Sequence, residues 1–203
     1  MAEAADPIRL PGGGEVILRP LEPGDRERLR DGFARLGDDS RYQRFMAPKN
    51  ALTAGELTYL TDIDHVDHEA IAAVDAATGE GVGVARYVRD EARGTVAEAA
   101  VTVVDDWQGR GLGKLLLDRL VARAEANGIE HFTASLLITN LAVRSLLEGI
   151  GEVRVVRVGD GSMDVDVALP VDRDALRLAL RQAARREARL ADRARPEPPE
   201  SAA

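Results

Sequence analysis

The stretch Asp105-Asp106-Trp107-Gln108-Gly109-Arg110-Gly111-Leu112-Gly113-Lys114 sets three glycines within five positions, between two apolar segments of different periodicity. Upstream, Val96 to Val104 consists of β-branched or small residues except for Glu98, a pattern that predicts a strand. Downstream, Leu112, Leu115, Leu116, Leu117, Leu120, Val121 and Ala124 recur at helical spacing and predict a helix over 111–127. A strand thus enters a helix through a turn whose glycines leave backbone N–H groups uncovered. Phosphate oxygens can approach such a turn closely and meet the positive end of the helix dipole.

Spacing separates the phosphate-binding loops that fit this description. A P-loop ending at Gly113-Lys114 needs glycine at 108 and Ser or Thr at 115, where the chain has Gln108 and Leu115. A dinucleotide fingerprint starting at Gly109 or Gly111 needs glycine or alanine at 114 or 116, which are Lys114 and Leu116. Gln108-Gly109-Arg110-Gly111-Leu112-Gly113 does match the Gln/Arg-x-x-Gly-x-Gly/Ala signature, and the chain here resembles the GNAT superfamily of N-acyltransferases. Asn140 to Gly151 is similar to the Asn-started helix that follows in that family. Leu147 stands where relatives usually carry Tyr, and Glu152 where they carry Phe. Upstream, Ser40 to Pro48 and Leu60 to Glu69 resemble the catalytic domains of bacterial Pat-type protein lysine acetyltransferases. The two resemblances span roughly residues 15 to 170.

Composition narrows the classes. A chain of 203 residues fits one domain, and without cysteine it has neither a disulfide nor a thiolate nucleophile. The start lacks a leader pattern and no apolar run reaches bilayer length, so the expectation is a cytoplasmic protein without a membrane partner. The net charge is −8; residues 171–203 carry eight arginines and six acidic residues, which leaves −10 on residues 1–170. A body of that sign disfavours nucleic acid and favours cationic partners.

Strands are expected at 15–20, 70–74, 81–88, 96–104, 130–138, 153–158 and 163–169, and helices after Asp25, after Thr53, at 111–127 and at 140–150. The fold class is α/β (α+β mixed): a GNAT-like, partly antiparallel central sheet flanked by helices, with an extra C-terminal helix. Its expected parts are a flexible N-terminus (1–14), a GNAT acyltransferase domain (15–170), an Arg-rich helix (171–195) that docks on the domain or on a homodimer partner, and a disordered tail (196–203).

The resemblance implies an acetyl-CoA-dependent N-acetyltransferase that transfers acetyl directly to a primary amine, with a protein lysine as the leading acceptor. A small-molecule amine is the alternative acceptor, and a catalytically silent coenzyme A-binding module the alternative class. It assigns the pyrophosphate to the backbone of Gly109, Arg110, Gly111, Leu112, Gly113 and Lys114, assisted by Gln108 and Arg110, and the pantetheine arm to Val103 and Val104. Asn140 serves the cofactor sulfur or caps its helix. Glu98 is the expected general base, its basicity raised by partial burial. Leu147 supplies no acid, which leaves water or Tyr87; His68 and Tyr87 are the expected acceptor-site residues, and Trp107 packs beneath the glycine loop. Arg41, Tyr42 and Arg44 order a loop beside the acceptor groove. The spacing of His65 and His68 among Asp62, Asp64 and Asp67 is too loose to make a metal site, so no metal is expected.

Overall fold

The computed structural model describes residues 6–170. The Arg-rich segment 171–195, the tail 196–203 and the dimer contact assigned to that segment lie outside the described residues. An eight-stranded sheet forms the centre, with strands β1 (Ile8–Arg9), β2 (Glu15–Pro20), β3 (His68–Asp75), β4 (Gly81–Arg89), β5 (Val96–Val103), β6 (His131–Leu137), β7 (Glu152–Gly159) and β8 (Ser162–Ala168). Their order is β1-β2-β3-β4-β5-β6-β8-β7, and every neighbouring pair is antiparallel except β5 with β6. Five helices complete the domain: α1 (Arg26–Ala34), α2 (Asp38–Phe45), α3 (Ala54–Thr61), α4 (Leu112–Ala126) and α5 (Leu141–Glu148). Among the described residues no helix is long and apolar enough to cross a membrane.

Two elements depart from expectation. Residues 8–14, grouped at sequence level with a flexible N-terminus, form β1 and a turn that brings Leu10 into the core. Asp38 to Phe45 is helical rather than a loop, although its polar sequence shows no apolar stripe. Asp38 and Asp39 face the positive end of the helix dipole, and the helix ends where Met46 takes a left-handed φ of 50°. The tertiary anchor of α2 is aromatic: Phe45 meets the Phe33 ring edge-on at 5.7 Å, and the Arg41 guanidinium lies 5.1 Å over Phe33. The capping box at the start of α3 forms as read, with Thr53 Oγ1 accepting from Glu56 N–H and the Glu56 carboxylate accepting from Thr53 N–H.

The sheet carries a core on each face. The larger one seats α4 and α5, with Leu112, Leu116, Leu117 and Leu120 buried against Ile71, Ala85, Ala97 and Phe132. Gly83 permits this approach, since a Cβ there would stand 2.9 Å from Leu116 Cδ1. The smaller core, under α1–α3, is built on Leu21, Ala70 and Ala72. Phe132 has no solvent exposure and packs on Tyr87 with ring centroids 5.9 Å apart. Phe132→Ala is expected to lower unfolding stability by about 3–5 kcal/mol, read as a shifted midpoint in chemical denaturation at an unchanged slope.

Candidate active site

β5 and β6 are paired through only three register positions, Val96–His131, Ala97–Phe132 and Glu98–Thr133. Beyond Glu98 the two strands part, and a groove of about 450 Å³ opens between 99–103 and 134–136. The start of α4, the Asn140–Leu146 side of α5 and three residues of α2, Ser40, Gln43 and Arg44, complete its lining. Alanines at 99, 100 and 134 keep the strand walls thin, which suits a long, narrow ligand. Ser40 and Gln43 were invisible as site residues in the sequence because α2 itself was. Ala99, Ala100 and Ala134 had one readable sign: small residues inside otherwise β-branched strands.

The glycine turn forms the end of this groove. Gly109 and Gly111 take φ of 70° and 88°, a backbone conformation that a side chain resists, and Gly111 is the N-cap of α4. A Cβ on Gly113 would lie 3.1 Å from Leu146 Cδ1, so glycine lets α5 close over the helix start. The first amides of α4 have no partner within the helix, and Gly111, Gly113 and Lys114 of this turn line the groove. The turn is braced from below by the β1–β2 connection: Gly12 N–H donates to Arg110 O at 3.2 Å, and Gly14 lies against the Trp107 ring. Trp107 is buried in the main core, and the Arg110 guanidinium lies 4.9 Å over its indole.

Several residues assigned to the cofactor act here on the protein itself. Gln108 Nε2 lies within hydrogen-bonding distance of Val103 O, Asp105 Oδ1 and Ser40 Oγ, so it ties the end of β5 to α2. Lys114 Nζ pairs with Asp118 at 2.6 Å. Asn140 lines the groove and also caps α5, its Oδ1 accepting from Val143 N–H at 3.1 Å. Val103 lines the groove, but Val104 does not: it is buried, its N–H donates to Val82 O, and it borders a second cavity under α1. Leu112 sends its side chain into the core and leaves only its backbone to the ligand.

The acceptor-side assignments divide. Glu98 sits on β5 at the last paired position, where the groove begins. It is exposed, so the partial burial expected of it is absent. Tyr87 does not line the groove. It is fully buried, its hydroxyl donating to Val66 O at 3.0 Å and accepting from Asn127 Nδ2 at 2.7 Å, and burial pushes its pKa up. Leu147 is also buried in the core. His68 is half-buried, tilted against Tyr59, with Nε2 3.2 Å from an Arg86 nitrogen. Burial and the Arg86 charge lower its pKa to about 4, so near pH 7 it is a neutral acceptor of the guanidinium's hydrogen bond. His65 Nδ1 instead meets the buried Glu69 carboxylate at 2.8 Å, which Arg123 contacts from its other oxygen. Among the described residues no group of three or more His, Cys, Asp or Glu is placed to hold a metal ion.

Comparison with known proteins agrees with this geometry. The acetyltransferase (GNAT) family model matches residues 38–151. The chain is 36% identical over 167 residues to acetyltransferase Pat of Mycolicibacterium smegmatis, covering 82% of this chain and 50% of that protein. It is 35% identical over 144 residues to acetyltransferase PA5475 of Pseudomonas aeruginosa, covering 70% of this chain and 77% of that one. The crystal structure of the GNAT domain of S. lividans PAT superposes with a TM-score of 0.74 at 30% identity, covering 83% of this chain and 99% of that domain. The chain thus spans half the length of the mycobacterial relative.

Two outcomes are expected from this site. A Cβ at position 12 would fall 2.5 Å from Arg110 Cα, so Gly12→Ala must displace the turn; coenzyme A titrated by calorimetry should bind about tenfold or more weakly than to the parent. His68 loses protons on folding between pH 6.5 and about 4, so its contribution to stability is complete above pH 6.5 and falls as the pH drops through that window. Denaturation midpoints at pH 7.5 and 4.5 should accordingly differ less in His68→Gln than in the parent protein.

Proposed function

The chain belongs to the acetyltransferase (GNAT) family, and from that premise we propose that it is an acetyl-CoA-dependent N-acetyltransferase of the cytoplasm whose acceptor is a protein lysine. The observation that carries this reading is the juxtaposition of the parted strands with Glu98: the groove opens directly beyond the last β5–β6 pair, and the carboxylate stands at that pair. The site fits a coenzyme A thioester, with small residues along its walls and a turn that needs glycine at 109 and 111 for its backbone conformation and at 113 for the approach of Leu146.

Acetyl-CoA supplies a carbonyl carbon already activated toward an amine. The protein's part is to bind, to orient and to move one proton. Backbone amides at the start of α4 hold the pyrophosphate, and the wall at Ala99–Val103 orients the pantetheine arm. Glu98 takes one proton of the incoming ammonium, directly or through water; the amine then forms its bond to carbon as the thioester C–S bond breaks, and the second N–H proton, released on amide formation, passes through water to the departing thiolate. Tyr87 is occupied by Val66 and Asn127, and Leu147 has no proton, so water is left to protonate the departing thiolate.

A lysine acceptor is supported by the charge around that point and by the resemblance to Pat-type enzymes. Thr133, the register partner of Glu98 on β6, lies opposite Asp166 on β8, and Ser135 lies opposite Asp164. One sheet face therefore presents Glu98, Asp166 and Asp164, and the hydrogen bonds from Ser135 and Arg157 hold Asp164 below the usual carboxylate range. Asp164 is paired with Arg157 and Asp166 is hydrogen-bonded to His131, so Glu98 is the carboxylate of this face left to meet an ammonium group. The core position of Leu147 favours a second reading, a module that binds coenzyme A without turnover.

Glu98→Gln separates the two. The acetyltransferase reading expects kcat on a lysine peptide to fall about 10²–10⁴-fold with acetyl-CoA affinity unchanged. Mass spectrometry that finds no acetylated amine, in protein or in small molecules, despite saturable acetyl-CoA binding would leave the silent module in its place.

A further inference from the structure

Beneath α1–α3 lies a second cavity, of about 90 Å³, walled by Phe33, Phe45, Leu60 and Val84. It adjoins the acyl groove, since Arg44 and Thr102 border both. Three arginines border it: Arg28, paired with Asp25; Arg44, half-buried on α2; and Arg86 on β4, 6% exposed and in register with Ala100 of the groove wall. Arg86 donates twice to Leu60 O at 3.2 Å and once to the neutral His68 ring, none of which carries a charge. Among the described residues neither Arg44 nor Arg86 is ion-paired with a carboxylate; Glu98 acts on Arg44 through its charge without a hydrogen bond between them. Asp25, at the far side of the same cavity, is taken up by Arg19 and Arg28.

Two like charges held out of water beside each other are costly, and the cost appears in both side chains: burial lowers Arg44, and burial with Arg44's repulsion lowers Arg86 to about 10. Arg86 has no part in the groove lining or in the proposed proton path, whereas Arg44 borders the groove and feels the Glu98 charge. Guanidiniums are shaped to receive carboxylate oxygens in forked hydrogen bonds, and an anion seated between these two would remove their repulsion.

We propose that Arg44 and Arg86 hold the free carboxylate of a reacting partner at the acyl-transfer end of the groove. The carboxylate has two chemical sources: the distal group of a dicarboxylic acyl thioester reaching into the cavity, or the α-carboxylate of a free amino-acid acceptor entering from the sheet face, which a protein lysine lacks, so that the second source would replace the protein acceptor by a small amine. The proposal rests on the acyltransferase reading for what lies in the groove.

Calorimetry on the full chain compares succinyl-CoA with butyryl-CoA, which has nearly the same acyl length and no charge. In parallel, turnover with acetyl-CoA compares lysine with cadaverine, which lacks only the carboxylate. A charge-assisted hydrogen bond corresponds to about tenfold in affinity or kcat/KM. A preference of that size for succinyl-CoA identifies the donor as the source, and one for lysine identifies the acceptor. Arg86→Met should erase whichever preference is found while butyryl-CoA still binds. Equal treatment of both pairs by the parent protein, or a preference that survives Arg86→Met, overturns the carboxylate site and leaves the acyltransferase reading standing. Failure of butyryl-CoA and acetyl-CoA alike to bind removes that reading first, and this proposal with it.

Discussion

The arrangement turns on one parallel strand pair in a sheet otherwise antiparallel throughout. Parallel neighbours need a crossover, and α4 is that crossover, so its N-terminus comes to lie at the carboxyl end of β5. The pair then parts after three positions, and the resulting gap lies beside the helix amides. A groove that begins beyond Glu98 and ends at the glycine turn follows from that single departure. Had β5 and β6 stayed paired to their ends, the walls at Ala99–Val103 and Ala134–Leu136 would have been sealed by ladder hydrogen bonds.

An opened strand pair needs support from elsewhere, because it forgoes backbone hydrogen bonds that a closed sheet would make. The support comes from three directions. Gln108 ties the end of β5 to α2, Asn140 caps α5 beside the gap, and the β1–β2 turn holds the glycine loop through Gly12 and Trp107. The short first strand therefore has a task out of proportion to its two residues: it fixes the chain that backs the glycine turn. Glycine at 12 and 14 is required for close approach of one backbone to another, and at 109 and 111 for backbone conformation.

The two sheet faces serve different ends. On the α4 face the core is apolar and tightly buried apart from Glu69, which Arg123 and His65 contact, and Tyr87 and Leu147 belong to that packing. On the opposite face the charges collect: Glu98 at the groove mouth, Asp164 and Asp166 on β8, and Arg44 and Arg86 under α2. Strand alternation decides this division, since Ala97 and Ala99 turn inward while Glu98 turns outward. Potential at the reaction point is therefore set by neighbours that are distant in sequence and adjacent across strands.

Sequence alone determined what depends on local pattern. The strand-turn-helix around 105–114, the capping box at Thr53 and the alternation of β5 follow from periodicity, glycine placement and short-range hydrogen bonding, all of which act within a few residues. The family resemblance rested on the glycine turn together with residues 140–151, 40–48 and 60–69. The tertiary structure decided what depends on burial and on distant partners. Helix α2 exists because Phe45 and Arg41 find Phe33, Tyr87 is silent because Asn127 and Val66 claim its hydroxyl, and Val104 turns away because Val82 takes its amide. Arg44 and Arg86 are 42 positions apart in the chain, and only tertiary packing brings both to the border of one cavity. Side-chain chemistry is written in sequence, but which neighbours satisfy or leave open each polar group is set by packing, and that choice separates a core residue from a site residue.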